Sequence, residues 1–255
     1  MFSEIQSKIN NAPSLDFGDI FNESIQLFKK SWLYGFLLQI FVMIITSPFI
    51  IIMYMPMFVA AMASVENGET FDPDSMDAFF AGMSVLYMIG FFVGILIIAV
   101  LSLALNAGLY KVIKKLDYNE EVKVGDLFYF FKGNYIGKLI VIMLVTMGIS
   151  IVAAILCYLP LIYAMVPLSF FMVIFAFNPD LSVGDIVKLS FMLGNKKWLI
   201  TFGLLVVSYI VLLILTIVTC GLGSLFLSAF MYHPIYLIYK KVVGFGVETV
   251  NNIEA

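Results

Sequence analysis

Long stretches without a charged residue constrain this sequence more than any other feature. A membrane-spanning helix needs about 20 apolar residues to cross roughly 30 Å of hydrocarbon. The first two stretches each fit one long helix, and the last two each fit two helices joined by a tight turn. The sequence therefore predicts six transmembrane helices. The four uncharged stretches are residues 31–65, 78–110, 139–179 and 198–239.

The composition agrees with a membrane location. The chain is 62% hydrophobic and 12% charged, whereas soluble domains are nearer half apolar and a quarter charged. Its net charge of −3 provides no basic field for nucleic acid. We therefore expect an all-α integral membrane protein that contacts the lipid bilayer and no nucleic acid.

The lysines indicate the orientation of the predicted helices. Every lysine lies in one of four segments that a six-helix chain places on the same side: 1–30, about 111–138, about 178–197 and 240–255. The loop on the opposite side, residues 66–77, carries five carboxylates and no lysine. Lysine-rich loops remain in the cytoplasm. The sequence thus predicts cytoplasmic N- and C-termini and a multi-pass protein of the bacterial cytoplasmic (inner) membrane.

The sequence also repeats itself. Residues 15–36 and 181–202 align at a constant offset with ten of 22 positions identical, and residues 122–139 form a weaker copy. The unit is an amphipathic surface helix followed by a transmembrane hairpin. Internal repeats are common in membrane transport folds, but duplication of a hairpin produces them as well. We predict one domain, 1–255, built of three repeats and a tail: about 15–121, about 122–180, about 181–241, and 242–255.

A helix start is expected in each copy of the repeat. Asp16 and Ser182 occupy the same repeat position, three residues before Asp19 and Asp185. This spacing is typical of an N-cap residue followed by a carboxylate in the first turn. We therefore interpret the Gly-Asp pairs as structural rather than as metal or proton sites.

Two segments resemble a known group of proteins. "LNAGLYKVIKKLDYNEEVKVGDLFYFFKGNYIGKLI" and "AFNPDLSVGDIVKLSFMLGNKKWLITFGLL" are similar to signatures of uncharacterised bacterial six-span proteins. That group resembles the membrane domain fused to some glycerophosphodiester phosphodiesterases. The resemblance covers residues 15 to about 241. It implies a six-span fold in the inner membrane and carries over no catalytic residue.

Few polar residues lie inside the predicted spans. Asn106 and His233 fall one position apart in the aligned repeats, near the cytoplasmic ends of their helices, with Tyr232 and Tyr236 close by. These four residues are the candidate binding site. Two interpretations remain open: a shared polar pocket, or hydrogen bonds between helices. No acid–base pair lies in the spans, so we expect no catalytic residues, no cofactor and no enzyme activity.

Sulfur-containing residues raise two further questions. Met53, Met55, Met57 and Met62 lie close together, and thioethers suit Cu(I), but Met is also a common apolar filler, so we assign no metal site. Cys157 and Cys220 both fall at predicted outer helix ends, where either a disulfide or two free thiols would fit. The sequence leaves this pairing open.

Two functions are consistent with these features. The first is a non-enzymatic scaffold or accessory subunit of a cell-envelope complex, which contacts another membrane or envelope protein through the outer hairpin 56–82. The second is a carrier or binder of a lipid or other amphipathic molecule. The uncharged runs that flank the acidic loop are 35 and 33 residues long. They exceed the hydrocarbon thickness and favour a hairpin that projects beyond it.

Overall fold

A computed structural model describes residues 1–66, 85–156 and 159–245. Every regular element in these ranges is a helix. Two short 3-10 helices, Val124–Phe128 and Ser228–Met231, lie between the α-helices. The α-helices are α1 (Phe2–Asn10), α2 (Phe17–Glu66), α3 (Val85–Asp117), α4 (Gly133–Ile155), α5 (Leu159–Phe177), α6 (Val183–Lys196), α7 (Trp198–Val218), α8 (Gly223–Leu227) and α9 (Tyr232–Val242).

Five of the described helices are long and apolar enough to cross a membrane, which is what a multi-pass membrane protein requires. They are Phe17–Glu66, Tyr87–Asp117, Gly133–Ile155, Pro160–Phe177 and Trp198–Val218. The expectation of an all-helical chain is therefore confirmed for the described residues, and its five apolar helices agree with a multi-pass membrane protein. The predicted sixth span is not one continuous helix, because the chain there divides into α8, a 3-10 helix and α9.

Pro234 explains where this sixth segment breaks. Proline has no N–H, and its ring excludes the α-helical bond to the carbonyl four residues earlier, here that of Phe230. His233 replaces the missing donor, since its Nδ1 lies 3.1 Å from the Ala229 carbonyl and 3.3 Å from the Phe230 carbonyl. The apolar composition predicted a sixth helix here, but the missing N–H of Pro234 interrupts it.

The described chain forms two compact units. One unit comprises Met1–Gln39 and the described residues from Leu103 onward, and the other comprises Ile40–Ser102. In the second unit α2 and α3 pack closely, with the Tyr87 hydroxyl donating to the Met53 carbonyl at 2.6 Å and the Phe49 and Phe91 rings stacked at 5.8 Å. The acidic loop after Glu66 and most of the predicted hairpin tip lie outside the described residues.

Helix α9 is the core of the larger unit. Polar side chains of α9 form hydrogen bonds to three other helices. His233 bonds Ser31 of α2, and Tyr236 bonds Asp117 of α3. Tyr239 bonds Asn178 at the end of α5. Most of this helix is buried, so it joins the elements that surround it. Its buried side chains are His233, Pro234, Ile235, Tyr236, Leu237, Ile238, Tyr239 and Val242.

The predicted helix starts are confirmed in the first and third copies of the repeat. The Asp19 N–H donates to Asp16 Oδ1 at 2.9 Å, and the Asp185 N–H donates to Ser182 Oγ at 3.1 Å. These bonds satisfy donors that a helix leaves free at its N-terminus. In the second copy the segment is only a 3-10 helix, and Asp126 accepts the N–H of Lys123 at 2.9 Å. The three-repeat organisation itself stays a prediction.

The expectation of a separate amphipathic helix before the span is confirmed for the third copy, where α6 ends at Lys196 and α7 begins at Trp198, and is wrong for the first copy. The position of α6 at a membrane surface stays a prediction. In the first, α2 continues from Phe17 to Glu66 without a break. In the third, α6 packs antiparallel along α5, with the Phe191 and Phe171 rings 6.3 Å apart and Asn195 bonded to Tyr163. Gly194 permits the close approach of the two helices, because a Cβ added there would lie 2.8 Å from the Pro167 Cα. The amphipathic pattern correctly marked a buried face, and in α6 that face packs against α5.

Candidate functional site

The candidate residue His233 forms part of a buried polar contact. It is fully buried, and its Nε2 lies 2.6 Å from the Ser31 hydroxyl. Because Nδ1 faces two carbonyls, which can only accept, Nδ1 carries the proton and Nε2 accepts from Ser31. Both ring nitrogens are thereby satisfied, so His233 ties α9 to α2 and has no hydrogen-bonding capacity left for a ligand.

The other candidates make contacts of their own in the described part of the chain. The Tyr236 hydroxyl donates to Asp117 at 2.8 Å, and the Tyr232 ring packs edge-on against Tyr110 at 5.5 Å. Asn106 is half-buried and shares no bond with the other three. These contacts agree with hydrogen bonding and packing between helices, the second of the two interpretations of this group.

A different cavity offers room for a ligand. It has a volume of about 450 Å³ and lies where the ends of α3, α5 and α9 meet the start of α1. Small-molecule sites usually occupy about 300–1,000 Å³. None of the four candidate residues lines this cavity. We name it the lysine cavity, after Lys8, Lys111, Lys114 and Lys115, which line it together with Glu4 and Glu120.

Three of its lysines come from one turn of α3. Lys111, Lys114 and Lys115 are three and four residues apart, so they share one face of the helix. The Lys111 ammonium lies 3.8 Å from the centre of the Tyr129 ring, and the Lys114 ammonium lies 4.9 Å from that of Phe245. Aromatic faces attract cations, and of these two rings Phe245 lines the cavity with Lys114, whereas Tyr129 contacts Lys111 from outside the lining.

Two ion pairs engage Lys8, Lys115 and Glu4, whereas no ion pair that the structure describes includes Glu120. Lys115 is 2.9 Å from Asp126, and Lys8 is 2.9 Å from Glu4. Partial burial acts to raise the pKa of Asp126, but the backbone N–H of Lys123 and the ammonium of Lys115 outweigh it, so the pKa lies below its ordinary value. The hydrogen bond from Lys8 likewise lowers the pKa of Glu4. Both carboxylates are therefore ionised at neutral pH.

The inner wall combines one polar donor with apolar surface. The Tyr239 hydroxyl accepts a hydrogen bond from Asn178 Nδ2 at 2.7 Å, and Tyr239 is only 1% exposed. Within the described ranges no acceptor takes the Tyr239 proton. The apolar wall includes Phe177 and Phe245. The lysine cavity thus presents ammonium groups and a hydroxyl donor beside aromatic surface, which suits an anion with an apolar part.

Sequence reasoning missed this cavity because it interpreted the lysines only as topology markers. The signal was present, since lysines at positions 111, 114 and 115 form one basic helix face at the end of a span. Basic pockets at this level of a membrane protein bind anionic headgroups. The other walls come from distant parts of the chain, so the sequence did not reveal that they enclose a volume.

The sulfur-containing candidates are spread apart. Met53 is buried, whereas Met55 and Met62 are more than half exposed on another face of α2. Cys220 is exposed and carries a free thiol, and its suggested partner Cys157 lies outside the described residues. In the described ranges no group of three or more His, Cys, Asp or Glu side chains is placed to hold a metal ion.

Comparison with known proteins gives no further guide. No protein-family model, no curated protein and no solved structure matches the chain. The resemblance to the membrane domain of glycerophosphodiester phosphodiesterases therefore stays an expectation from the quoted segments.

Proposed function

We propose that this chain is a non-enzymatic protein of the bacterial inner membrane that binds an anionic amphipathic molecule, such as a lipid, in the lysine cavity. The observation that carries the proposal is the arrangement of Lys111, Lys114 and Tyr239 around one space of about 450 Å³. Ammonium groups stabilise an anion by charge, and a buried hydroxyl proton adds a directed hydrogen bond. The aromatic wall accommodates the apolar part.

The predicted topology supports an anionic lipid as the ligand. The lysine cavity lies at the helix ends that the lysine distribution assigns to the cytoplasm. Anionic lipids of that leaflet attract basic segments by about 1 kcal/mol per lysine. The ionised carboxylates Glu4 and Asp126 are each engaged by a lysine, so they fix the geometry of the site and are poorly placed to act as general bases.

Removing the charges tests the proposal. Protein in phosphatidylcholine nanodiscs is titrated with phosphatidylglycerol, and bound lipid is counted by native mass spectrometry. Lys111→Gln with Lys114→Gln should weaken binding by roughly tenfold or more, since each lysine contributes about 1 kcal/mol. Tyr239→Phe should weaken it by roughly three- to tenfold through loss of one hydrogen bond.

Lys29→Gln is the matched control. Lys29 is exposed on α2 and does not line the cavity, so Lys29→Gln removes one positive charge, as the single variant Lys111→Gln does, but leaves the site intact. Equal weakening in Lys29→Gln and in Lys111→Gln would mean that only the overall field matters, and the cavity would not be the binding site.

A second function, a scaffold for another envelope protein, is favoured by the length of α2. From Ser31 to Glu66 the helix continues unbroken, which corresponds to about 50 Å at 1.5 Å per residue against roughly 30 Å of hydrocarbon. Ile51, Ile52 and Phe58 are each more than 60% exposed. Apolar surface that extends beyond the membrane needs a cover.

Shortening the hairpin separates the two functions. A variant in which a short Gly/Ser linker replaces residues 56–82 should lose co-purification of a partner in mild detergent if the protein is a scaffold. It should keep phosphatidylglycerol binding if the lysine cavity is the functional site. Unchanged co-purification would refute the scaffold function and leave the binding proposal to the lysine variants.

A further inference from the structure

The chain after α9 turns into the wall of the lysine cavity. Gly244 has a φ of +70°, a left-handed conformation that glycine commonly adopts after a helix end, and its N–H donates to the Tyr239 carbonyl at 3.2 Å. The Phe245 ring then packs against Phe177, with 4.6 Å between the ring centres. Gly244, Phe245 and Phe177 all line the cavity. The described chain therefore leads directly from α9 into this site.

The residues that follow carry the charge that the cavity attracts. Residues 246–255, which lie outside the described residues, have the sequence "GVETVNNIEA", with two glutamates and no lysine. Val247 and Val250 stand on either side of Glu248. This part of the chain thus offers a carboxylate beside apolar side chains, which is the combination that suits the lysine cavity.

Glu248 is near enough to Phe245 in the chain to reach the lysines. Three residues separate the two positions, and an extended chain spans about 10 Å over that length. The Lys114 ammonium lies 4.9 Å from the centre of the Phe245 ring. The Glu248 carboxylate can therefore contact a lining lysine while Phe245 keeps its place in the wall.

The charges around the cavity favour an acidic occupant. In the described part of the chain, four lysines and two glutamates line the space. Asp126 engages Lys115 from outside the lining, and even with this carboxylate the ammonium groups are in excess. A segment joined to the wall has an effective concentration there on the order of millimolar, so a weak contact between a carboxylate and an ammonium group is populated.

We propose that residues 246–255 fold back into the lysine cavity, where the Glu248 carboxylate takes the position of the ligand's anionic group. The segment competes with an anionic lipid, which binds only by displacing it. This inference rests on the proposed function of the lysine cavity and adds the regulation of that site by the chain itself.

Carbodiimide crosslinking of the full chain tests the contact. The reagent joins a carboxylate and an amine that touch through an amide bond, and it leaves as a urea that carries the carboxylate oxygen. In phosphatidylcholine nanodiscs that hold one chain each, peptide mass spectrometry should find an amide between Glu248 and a lining lysine. Excess phosphatidylglycerol should lower its yield. The ion pair of Lys241 and Glu23, 2.6 Å apart and outside the cavity, is the internal control, whose amide should form at either lipid composition.

Glu248→Gln tests the competition. Phosphatidylglycerol binding, counted by native mass spectrometry, should tighten by about two- to fivefold, the effect of one partly exposed charge pair. Glu248→Asp keeps the charge and should bind like wild type. The matched control is Glu121→Gln, the same substitution at an exposed position that does not line the cavity; it should also bind like wild type.

The possible failures of the two proposals differ. Equal tightening in Glu248→Gln and Glu121→Gln would overturn this inference, because only the overall field would matter. So would the absence of a Glu248 amide in a sample where Lys241 and Glu23 are joined. If Glu248→Gln binds like wild type while Lys111→Gln with Lys114→Gln loses lipid, the competition is refuted and the proposed function stands. If the double lysine variant binds like wild type, the proposed function fails.

Discussion

The accessibility of Asn195 reveals how far the α5–α6 pair enters the membrane. In a chain whose two cysteines, Cys157 and Cys220, are replaced by serine, Asn195→Cys introduces a single reactive thiol on the exposed face of α6. We expect a membrane-impermeant maleimide to label it in inverted vesicles and not in intact cells. This outcome follows from the charges that α6 carries.

The free-energy cost of placing α6 in the hydrocarbon follows from the helix geometry. Asn195 lies 2.5 Å from the Tyr163 hydroxyl near the start of α5, and about 18 Å along α6 from Val183 at 1.5 Å per residue. If α5 crossed the hydrocarbon over its whole length, α6 would cross with it. Lys188 and Lys196 are exposed, and a lysine at the bilayer centre costs about 2.5–3.5 kcal/mol. Two such residues would cost an appreciable part of a typical stability of about 5–15 kcal/mol.

We therefore expect that water reaches α6 from the cytoplasm along this stretch, and that lipid covers only the other sides of α5. Two further single-cysteine variants calibrate the assay. Glu120→Cys, in the loop after α3, should label from the inside. Glu69→Cys, in the acidic loop outside the described residues, should label from the outside. Labelling of Asn195→Cys in intact cells would refute both the cost argument and the orientation derived from the lysines.

Three other substitutions test the packing of the larger unit by thermal unfolding in detergent. Gly194→Ala places a Cβ against the backbone of α5 and should cost about 1–3 kcal/mol, whereas Gly184→Ala, with only a side-chain oxygen 3.9 Å away, should change little. Asp126 has a lowered pKa, so its ionised carboxylate stabilises the folded state above about pH 4. This stabilisation is lost as the pH falls through the folded-state pKa. Asp126→Asn should therefore remove this part of the dependence of stability on acid pH. His233→Ala leaves Ser31 and two helix carbonyls without their partner and should destabilise by about 1–3 kcal/mol; an unchanged midpoint would show that water replaces the imidazole.

The sequence by itself determined the features that depend on local physics. Uncharged runs of sufficient length predicted helices, because every backbone group in hydrocarbon must be bonded within its own segment. The spacing of Ser182 and Asp185 predicted a helix start, and the structure contains the hydrogen bond between them. The sequence also predicted which side of an amphipathic helix is buried, because its apolar residues recur with the helical period.

The partners of those faces were decided only by the tertiary structure. The amphipathic pattern of α6 predicted a buried face but not its partner, and in the structure α6 packs against α5. Ser31 and His233 are 202 positions apart, and the lysine cavity joins the first residues to Phe245. Hydrophobic and amphipathic patterns specify how much surface a helix must bury, but apolar burial is non-directional. Shape complementarity at positions such as Gly194 therefore selects the surface against which each helix packs.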